Sequence, residues 1–187
     1  MKKQTDIQHT NRRTVLQITG LGILGGIVGN WFSPRTAQAV PAVAYTSWIH
    51  GHSMHIEYPE RIASELRTGF CIQVDGKPGT ENWFHFAIPT PAFINNNKLK
   101  VGSVMLRFRT LSADALVKHI HVYDGETKIA QHNNINFQGD RMFERFDVPG
   151  HPAVNWGLGI SIGVGFGGIV SMSHRIEFIA AGCDFLV

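Results

Sequence analysis

Histidine is the residue type with the widest chemical repertoire in this sequence, and four copies stand in two close pairs. The pairs are His50-x-His52 and His119-x-His121. Because side chains alternate along an extended strand, both rings of each pair lie on one face. Neutral imidazole nitrogens bind Zn²⁺, Mn²⁺ or Fe²⁺, particularly together with a carboxylate. The pairs predict a divalent-metal site or, alternatively, half-buried strand histidines that hydrogen-bond to their neighbours.

The first pair belongs to a longer pattern that has a known counterpart. His50-x-His52-x4-Glu57, followed later by His151-x3-Asn155, resembles the two metal-binding motifs of the cupin family. The resemblance implies a jelly-roll fold and a metal-dependent enzyme in which paired histidines hold the metal. The expected metal ligands are His50, His52, His119 and His121.

A second candidate site is a binding surface around Trp83. Trp83 and His85 share one face of a predicted strand, opposite the phenylalanines that alternate with them. An exposed indole beside polar groups suits the stacking of a sugar ring. Arg107 and Arg109 also point together from an otherwise apolar strand, which suits an anionic ligand. Alternatively, the aromatic face is covered, and the arginines are solvated beside acidic partners.

The run from Gly157 to Gly167 has almost no side chains on one strand face. Such a face lets a ligand approach the backbone, or else a large aromatic side chain from a neighbouring strand lies over it. The same run places Ser161 in a Gly-x-Ser-x-Gly pattern, which serine hydrolases use at a strand-to-helix turn. Ser161 lies in mid-strand, so we interpret this match as chance.

The elements that must position these residues are short strands. Turn signals recur at short intervals, and the runs between them are rich in β-branched and aromatic residues. This pattern predicts an all-β fold, an antiparallel β-sandwich of jelly-roll type, with residues 40–187 as a single domain. Asp-Gly pairs at 75–76 and 124–125 predict hairpin turns, and only Pro59–Thr68 indicates a short helix. The predicted strands are Tyr45–His50, Met54–Tyr58, Gly69–Asp75, Trp83–Ile88, Lys100–Leu111, Leu116–Tyr123, Thr127–His132, Met142–Val148, Gly157–Phe166 and His174–Ile179.

The charge of the chain is concentrated at its beginning. The sequence has 17 Lys and Arg against 14 Asp and Glu, and five of the basic and one of the acidic residues lie within residues 1–39. The remaining 12 basic and 13 acidic residues leave a net charge of −1. This balance excludes general binding to nucleic acid or to an anionic membrane.

The sequence has two cysteines, Cys71 and Cys183. In an oxidising compartment they could form a disulfide that closes a long loop and stabilises the fold. The alternative is two buried free thiols, because a domain of this length has its own hydrophobic core.

Residues 1–39 have the three-part layout of a cleavable export signal: a basic head, a glycine-rich apolar run and a small-residue cleavage site. The segment resembles the twin-arginine signal peptide. The resemblance implies recognition by the twin-arginine translocase, export to the periplasm or extracellular space of a bacterium, and cleavage after residue 39 or 44. The apolar run is shorter than the ~20 residues of a spanning helix, so no stable membrane span is expected after cleavage. The residues that carry the signal are Arg12, Arg13, Leu16, Ala37 and Ala39.

The part after the signal is similar in pattern to secreted single-domain β-sandwich proteins of bacteria. From these observations we predict an exported, non-catalytic module whose sheet face binds carbohydrate or another small ligand. One alternative is the metal-dependent jelly-roll enzyme that the histidine pairs suggest. Another is a structural, envelope-associated protein without a small ligand.

Overall fold

The computed structural model describes residues 42–187, and strands dominate that range. No α-helix occurs among the described residues. Two single 3₁₀ turns cover Gly51–Ser53 and Pro59–Arg61. The strands are β1 (Val43–His50), β2 (His55–Ile56), β3 (Ile62–Arg67), β4 (Ile72–Gly76), β5 (Glu81–Ile88), β6 (Phe93–Ile94), β7 (Asn97–Lys98), β8 (Lys100–Thr110), β9 (Ala115–Asp124), β10 (Thr127–Phe137), β11 (Asp140–Asp147), β12 (Leu158–Phe166) and β13 (Arg175–Leu186).

The strands form two large sheets in which every pairing is antiparallel. The six-stranded sheet has the order β11–β8–β13–β4–β3, and β1 also pairs with β13. The five-stranded sheet has the order β10–β9–β12–β5–β2, and β6 and β7 form a small separate ribbon. From β4 onward each sheet interleaves early and late strands, β11–β8–β13–β4 in one and β10–β9–β12–β5 in the other, as the two Greek keys of a jelly roll do. The predicted antiparallel jelly-roll sandwich is confirmed.

The hydrophobic core lies between the sheets, and alternation along each strand decides which side chains enter it. Phe84 and Phe86 of β5 contact Phe178 of β13 with ring centroids 5.0 and 5.8 Å apart. Burial of each such ring contributes on the order of 2 kcal/mol. A slip of one residue in β5 would turn these rings outward, so their burial fixes the register. The same register sends Trp83 and His85 to the outer face.

Most predicted strands agree with the observed ones, but the short ribbon of β6 and β7 was not predicted, β10 runs to Phe137 instead of His132, and three further differences stand out. The segment expected to hold a helix forms the 3₁₀ turn Pro59–Arg61 followed by β3, because pairing with β4 satisfies its backbone. The last strand continues to Leu186, well beyond the predicted end at Ile179. Gly76 belongs to β4 instead of a turn. The Asp-Gly turn at 124–125 does join paired strands, β9 and β10, with Gly125 at φ 58°.

Of the two alternatives for Cys71 and Cys183, the structure has buried free thiols and no disulfide, because the two cysteines lie apart along the six-stranded sheet. Cys71 directly precedes Ile72, which pairs with Phe178, whereas Cys183 lies farther along the same strand. At about 3.3 Å per residue the two are separated by roughly 13 Å, and a disulfide requires Cα atoms within about 7 Å. Burial raises the pKa of the Cys183 thiol to about 12, so it remains protonated.

The predicted export signal, with Arg12, Arg13, Leu16, Ala37 and Ala39, lies outside the described residues and stays a prediction. Within residues 42–187 no helix is long and apolar enough to cross a membrane.

Candidate functional site

Polar and aromatic side chains meet on the outer face of the five-stranded sheet. Inward-facing apolar residues of β5, β9 and β12 belong to the core, so the alternate positions of each strand face outward. Antiparallel pairing aligns these positions in rows across the sheet. One row joins His121, Ser161 and His85, and the next joins His119, Gly163 and Trp83. The sheet therefore assembles residues that are far apart in sequence.

A chain of hydrogen bonds crosses the first row. His85 Nε2 lies 2.9 Å from Oε2 of Glu57, and its Nδ1 lies 2.9 Å from Oγ of Ser161. A carboxylate only accepts, so the Nε2–H of a neutral His85 donates to Glu57, and Nδ1 accepts from the Ser161 hydroxyl. Glu57 and His85 each keep 38% of their side-chain surface exposed. The row thus holds a fixed imidazole between two oxygen groups that border solvent.

The second row is built around Trp83. The indole stacks with His119 at a centroid distance of 5.8 Å and a 23° interplanar angle, and its centroid lies 4.8 Å from that of His121. Oδ1 of Asn133, on β10, lies 3.0 Å from Nδ1 of His119 and 2.9 Å from Nε2 of His121. Because an amide oxygen only accepts, both rings donate to it. Asn133 therefore fixes the two imidazoles that support the indole.

The two rows border an open groove of about 320 Å³. Partial burial lowers the pKa of His121 below its ordinary value of 6.5, so the His121 side chain is neutral at pH 7. The groove contains one carboxylate and one ammonium group, so its formal charges balance. Its lining residues are Glu57, Trp83, His85, His121, Tyr123, Lys128 and Ser161.

The outward-facing glycines of β12 flank Ser161 of the groove, and they are covered to different extents. At Gly163 an added Cβ would lie 3.0 Å from the His119 ring and 3.1 Å from the Trp83 ring, so these side chains cover it. At Gly159 an added Cβ would meet nothing within 4 Å. Gly159 pairs with Tyr123, which lines the groove. The aromatic cover expected over this face is thus observed at Gly163, the backbone at Gly159 is open, and ligand approach to it stays a prediction.

A rigid loop enters β12 at the end of the sheet nearest Tyr123. The buried carboxylate of Asp124 accepts from the backbone N–H groups of Asn155, Trp156 and Gly157, each at 2.9 Å. Burial alone would raise the pKa of Asp124, but these donors hold it below its ordinary value. Asp124 therefore acts as a charged anchor for the loop.

The outer face of the six-stranded sheet is organised differently. Arg109 donates through Nε, at 2.9 Å, to Glu177, a carboxylate with 3% of its side chain exposed. This ion pair raises the pKa of Arg109. Arg107 and Arg109 border a shallow hollow of about 150 Å³ beside Phe70 and Ile179. The arginine pair thus lies on the opposite sheet from Trp83 and His85, and the four predicted ligand-binding residues do not form one site.

The four predicted metal ligands are also divided between the sheets. His50 ends β1 of the six-stranded sheet, and His52 follows in a 3₁₀ turn, where its Nε2 lies 2.5 Å from the Thr68 carbonyl oxygen. His119 and His121 share Asn133 on the five-stranded sheet. Within residues 42–187 no group of three or more His, Cys, Asp or Glu side chains could hold a metal ion. The expected four-histidine site is therefore wrong.

The remaining residues of the cupin-like pattern do not converge either. Glu57 bonds to His85, and Asn155 accepts from the Lys98 ammonium at 2.6 Å. His151 lies near Asp147, with Nε2 3.5 Å from Oδ1. Each of these residues makes a separate local contact, so the spacing does not build a cupin metal site.

Several groove residues were not predicted from the sequence. Ser161 carries only a chance hydrolase pattern, and Glu57 was expected only beside a metal. Lys128 and Asn133 carry no local motif, and only the pairing of β9 with β10 and β12 places them and the aromatic ring of Tyr123 beside Trp83. The one usable signal was the alternation that put Trp83 and His85 on a common face.

Comparisons with known proteins give one family and several distant structural likenesses. A family model described as a family of unknown function matches residues 42–186. No curated protein matches the sequence. Among solved structures, a low-affinity xylan binding module, CBM86, from the gut symbiont Roseburia intestinalis has 8% identity and a TM-score of 0.48, with 75% of this chain and 96% of that chain covered.

Two further structures illustrate the range of these likenesses. The Stig cyclase Fisc from Fischerella sp. TAU has 12% identity and a TM-score of 0.43, with 75% and 88% of the two chains covered. The family 29 carbohydrate-binding module CBM29_1 from Piromyces equi has 10% identity and a TM-score of 0.38, with 74% and 90% covered. The matches thus include both carbohydrate-binding modules and a cyclase. At this level of similarity they carry no argument about function.

Proposed function

We propose that this chain, which belongs to the family of unknown function DUF6623, binds a carbohydrate without catalysis. The proposed binding site is the groove on the outer face of the five-stranded sheet. One observation carries the proposal. A half-buried indole, Trp83, borders a groove in which hydrogen-bonded polar groups of β5, β9 and β12 converge.

The chemistry of the groove suits a polyhydroxylated ring. A sugar presents an apolar C–H face and a rim of hydroxyls that both donate and accept. Trp83 and Tyr123 supply aromatic surface, and Tyr and Trp are well suited to such mixed contacts. Glu57 accepts hydrogen bonds, and Lys128 donates them. Ser161 already donates to His85, which leaves its oxygen lone pairs for a ligand hydroxyl.

The charges of the groove favour a neutral ligand. Lys128 and Glu57 offset each other within the lining. Because the pKa of His121 is lowered, this side chain is uncharged at pH 7 and adds no third charge to the groove lining. An anionic ligand would meet the Glu57 carboxylate without a surplus of positive charge to offset the repulsion. The prediction of an anion-binding site at Arg107 and Arg109 also loses support, because the charge of Arg109 is already offset by its ion pair with Glu177.

A matched pair of tryptophan variants tests the proposal. We expect Trp83→Ala to weaken binding of the protein to neutral cello-, xylo- or mannooligosaccharides more than tenfold in calorimetric titration. Trp48→Ala is the control, because Trp48 is 42% exposed and lies on the other sheet, over Gly182. It should leave binding unchanged. Equal weakening by both variants, or no binding by the wild-type protein in any series, contradicts the proposal.

We also propose that the protein is exported by the twin-arginine route. The support is the sequence of residues 1–39, in which Arg12 and Arg13 precede the apolar run. Replacement of both arginines by lysine keeps the charge and should leave unprocessed protein in the cytoplasm, as cell fractionation would show. Unchanged export of this variant would indicate the general secretory route.

A further inference from the structure

Trp156 is an exposed tryptophan on a backbone that is held rigidly. Its side chain is 81% exposed, more than that of any other large hydrophobic residue among those described except Val170, which is equally exposed. Nevertheless its backbone N–H donates to the buried Asp124 carboxylate, as do those of Asn155 and Gly157. A fixed backbone lowers the entropy lost when a ligand contacts the side chain.

The indole itself rests on a glycine. An added Cβ at Gly125 would lie 3.1 Å from Cδ1 and 3.2 Å from Cβ of Trp156, so the indole lies directly against the backbone of this turn. The Gly125 N–H also donates to the Gly157 carbonyl oxygen at 3.0 Å. The β9–β10 turn and the loop before β12 therefore hold one exposed indole between them. Core packing does not account for this arrangement, because the ring is outside the core.

The position of Trp156 continues the line of the groove. Tyr123 lines the groove, and Gly125 follows it by two residues at the end of the same strand. Trp83 lies in the row of His119, six residues before Gly125. At about 3.3 Å per residue, the backbone row of Trp83 and the Gly125 that contacts Trp156 are roughly 20 Å apart along the sheet, and the Trp83 ring, 4.8 Å from His121, leans towards Trp156. Between them lie Tyr123 and the open backbone of Gly159.

We infer that Trp156 is the second tryptophan contact, beyond Trp83 and Tyr123, of one elongated platform, and that the ligand is a linear glycan chain of several rings. This inference rests on the proposed function and adds to it the length of the ligand. A single sugar ring is much shorter than the distance between the two indoles, so only a chain contacts both. The groups between them, Ser161, His121 and Tyr123, lie along its path.

Chain length and residue position can be varied together to test the inference. Calorimetry would use the wild-type protein with the disaccharide and the longest soluble member of the cello-, xylo- and mannooligosaccharide series. We expect Trp156→Ala to weaken binding of the long chain about tenfold and that of the disaccharide less than twofold. Trp83→Ala should weaken both, and Trp48→Ala neither. Thermal unfolding checks the fold, and Trp156→Phe should recover part of the affinity for the long chain.

The outcomes separate the two proposals. If Trp156→Ala leaves the long chain unaffected while Trp83→Ala abolishes binding, the elongated platform is wrong and the groove remains. If Trp156→Ala weakens both lengths equally, the platform is also wrong, because Trp156 then acts on the groove. If the wild-type protein binds no member of any series, the proposed function fails, and the inference fails with it.

Discussion

The two outer faces of the sandwich use their polar side chains in different ways. On the six-stranded sheet, arginines are bound to acidic partners: Arg109 to Glu177, Arg145 to Asp184 and Arg175 to Asp75. On the five-stranded sheet, the groove holds a tryptophan, imidazoles and hydroxyls that are fixed by neutral or singly charged hydrogen bonds. One face neutralises its charges within the protein, and the other leaves polar groups directed at open space.

Burial explains this difference. Glu177 and Asp184 are each only 3% exposed, so each needs a cation to offset its desolvation. Glu57 and His85 of the groove are partly exposed and keep access to water, so a ligand can replace that water; the Lys118–Glu81 ion pair of the same face is not part of the groove lining. The comparison predicts that the first face determines stability and the second determines binding. Each prediction below separates the two.

The largest effect on stability should come from Asp184. Its carboxylate accepts from Thr46 Oγ1 at 2.6 Å, from Ser103 Oγ at 3.2 Å and from Arg145. Asp184→Ala removes an acceptor from all three, and we expect a loss of about 2–3 kcal/mol in the free energy of unfolding in urea. The expected loss is smaller than for a fully buried ion pair, because the Arg145 side chain is partly exposed to solvent.

Glu60→Ala is the control for Asp184. Glu60 is 70% exposed and lies 3.8 Å from Arg61, so its loss should change stability by less than about 0.5 kcal/mol. Glycan affinity below the unfolding transition should be unchanged in both variants. A loss of affinity in folded Asp184→Ala protein would contradict the division between the faces.

A smaller effect, on binding alone, is expected at Gly159 of β12. An added Cβ at Gly159 meets nothing within 4 Å, so we expect Gly159→Leu to place a side chain beside Tyr123 of the groove. We expect more than tenfold weaker glycan binding in calorimetry and a free energy of unfolding within about 1 kcal/mol of wild type. Gly69→Leu is the matched control, since Gly69 also has open space but precedes β4 of the other sheet. Unchanged binding by Gly159→Leu would exclude this part of β12 as the ligand path.

The smallest effect is a dependence of stability on pH through His121. Partial burial, then the positive charges of Lys128 and His119, lower its folded-state pKa, and the bond to Asn133 opposes them. In the unfolded chain His121 takes up its proton near the ordinary value of 6.5. Its contribution to stability is therefore complete above pH 6.5 and declines as the pH falls towards the folded-state pKa.

Urea unfolding at a series of pH values would measure this decline. His121→Gln should reduce the loss of stability between neutral pH and pH 5, whereas Gln131→Ala on neighbouring β10 should not. An identical pH profile in His121→Gln and wild-type protein would contradict the assignment.

The fold could be predicted from the sequence because the sequence patterns that indicate strands and turns are local. Alternation in β5 and β12 and the turn signals between strands predicted the sandwich and most strand positions. The segment of β3 was not predicted, since Ile62–Arg67 is mostly exposed and lacks an apolar face. Its strand conformation depends on pairing with β4, which is a long-range property.

The candidate site could be predicted only in part, because the register between strands decides which residues become neighbours. The sequence identified Trp83 and His85 as neighbours on one strand. It did not show that His121 and Ser161 would lie beside them, or that Arg109 would face the other way. The prediction of a metal site from the two histidine pairs was wrong for the same reason. Spacing places two imidazoles on one face, but only topology decides whether two such faces meet, and here β1 and β9 belong to different sheets.

The most direct test of a ligand face on the five-stranded sheet is a titration followed by the indole N–H resonances in a ¹⁵N-correlated NMR spectrum. The chain has four tryptophans, so each indole resonance can be assigned by single substitution to phenylalanine. On addition of the longest soluble cello-, xylo- or mannooligosaccharides, we predict that the Trp83 resonance shifts while that of Trp48 stays in place. A shift of Trp48 without Trp83, or no shift of Trp83 with any of these glycans, would contradict the proposed binding face.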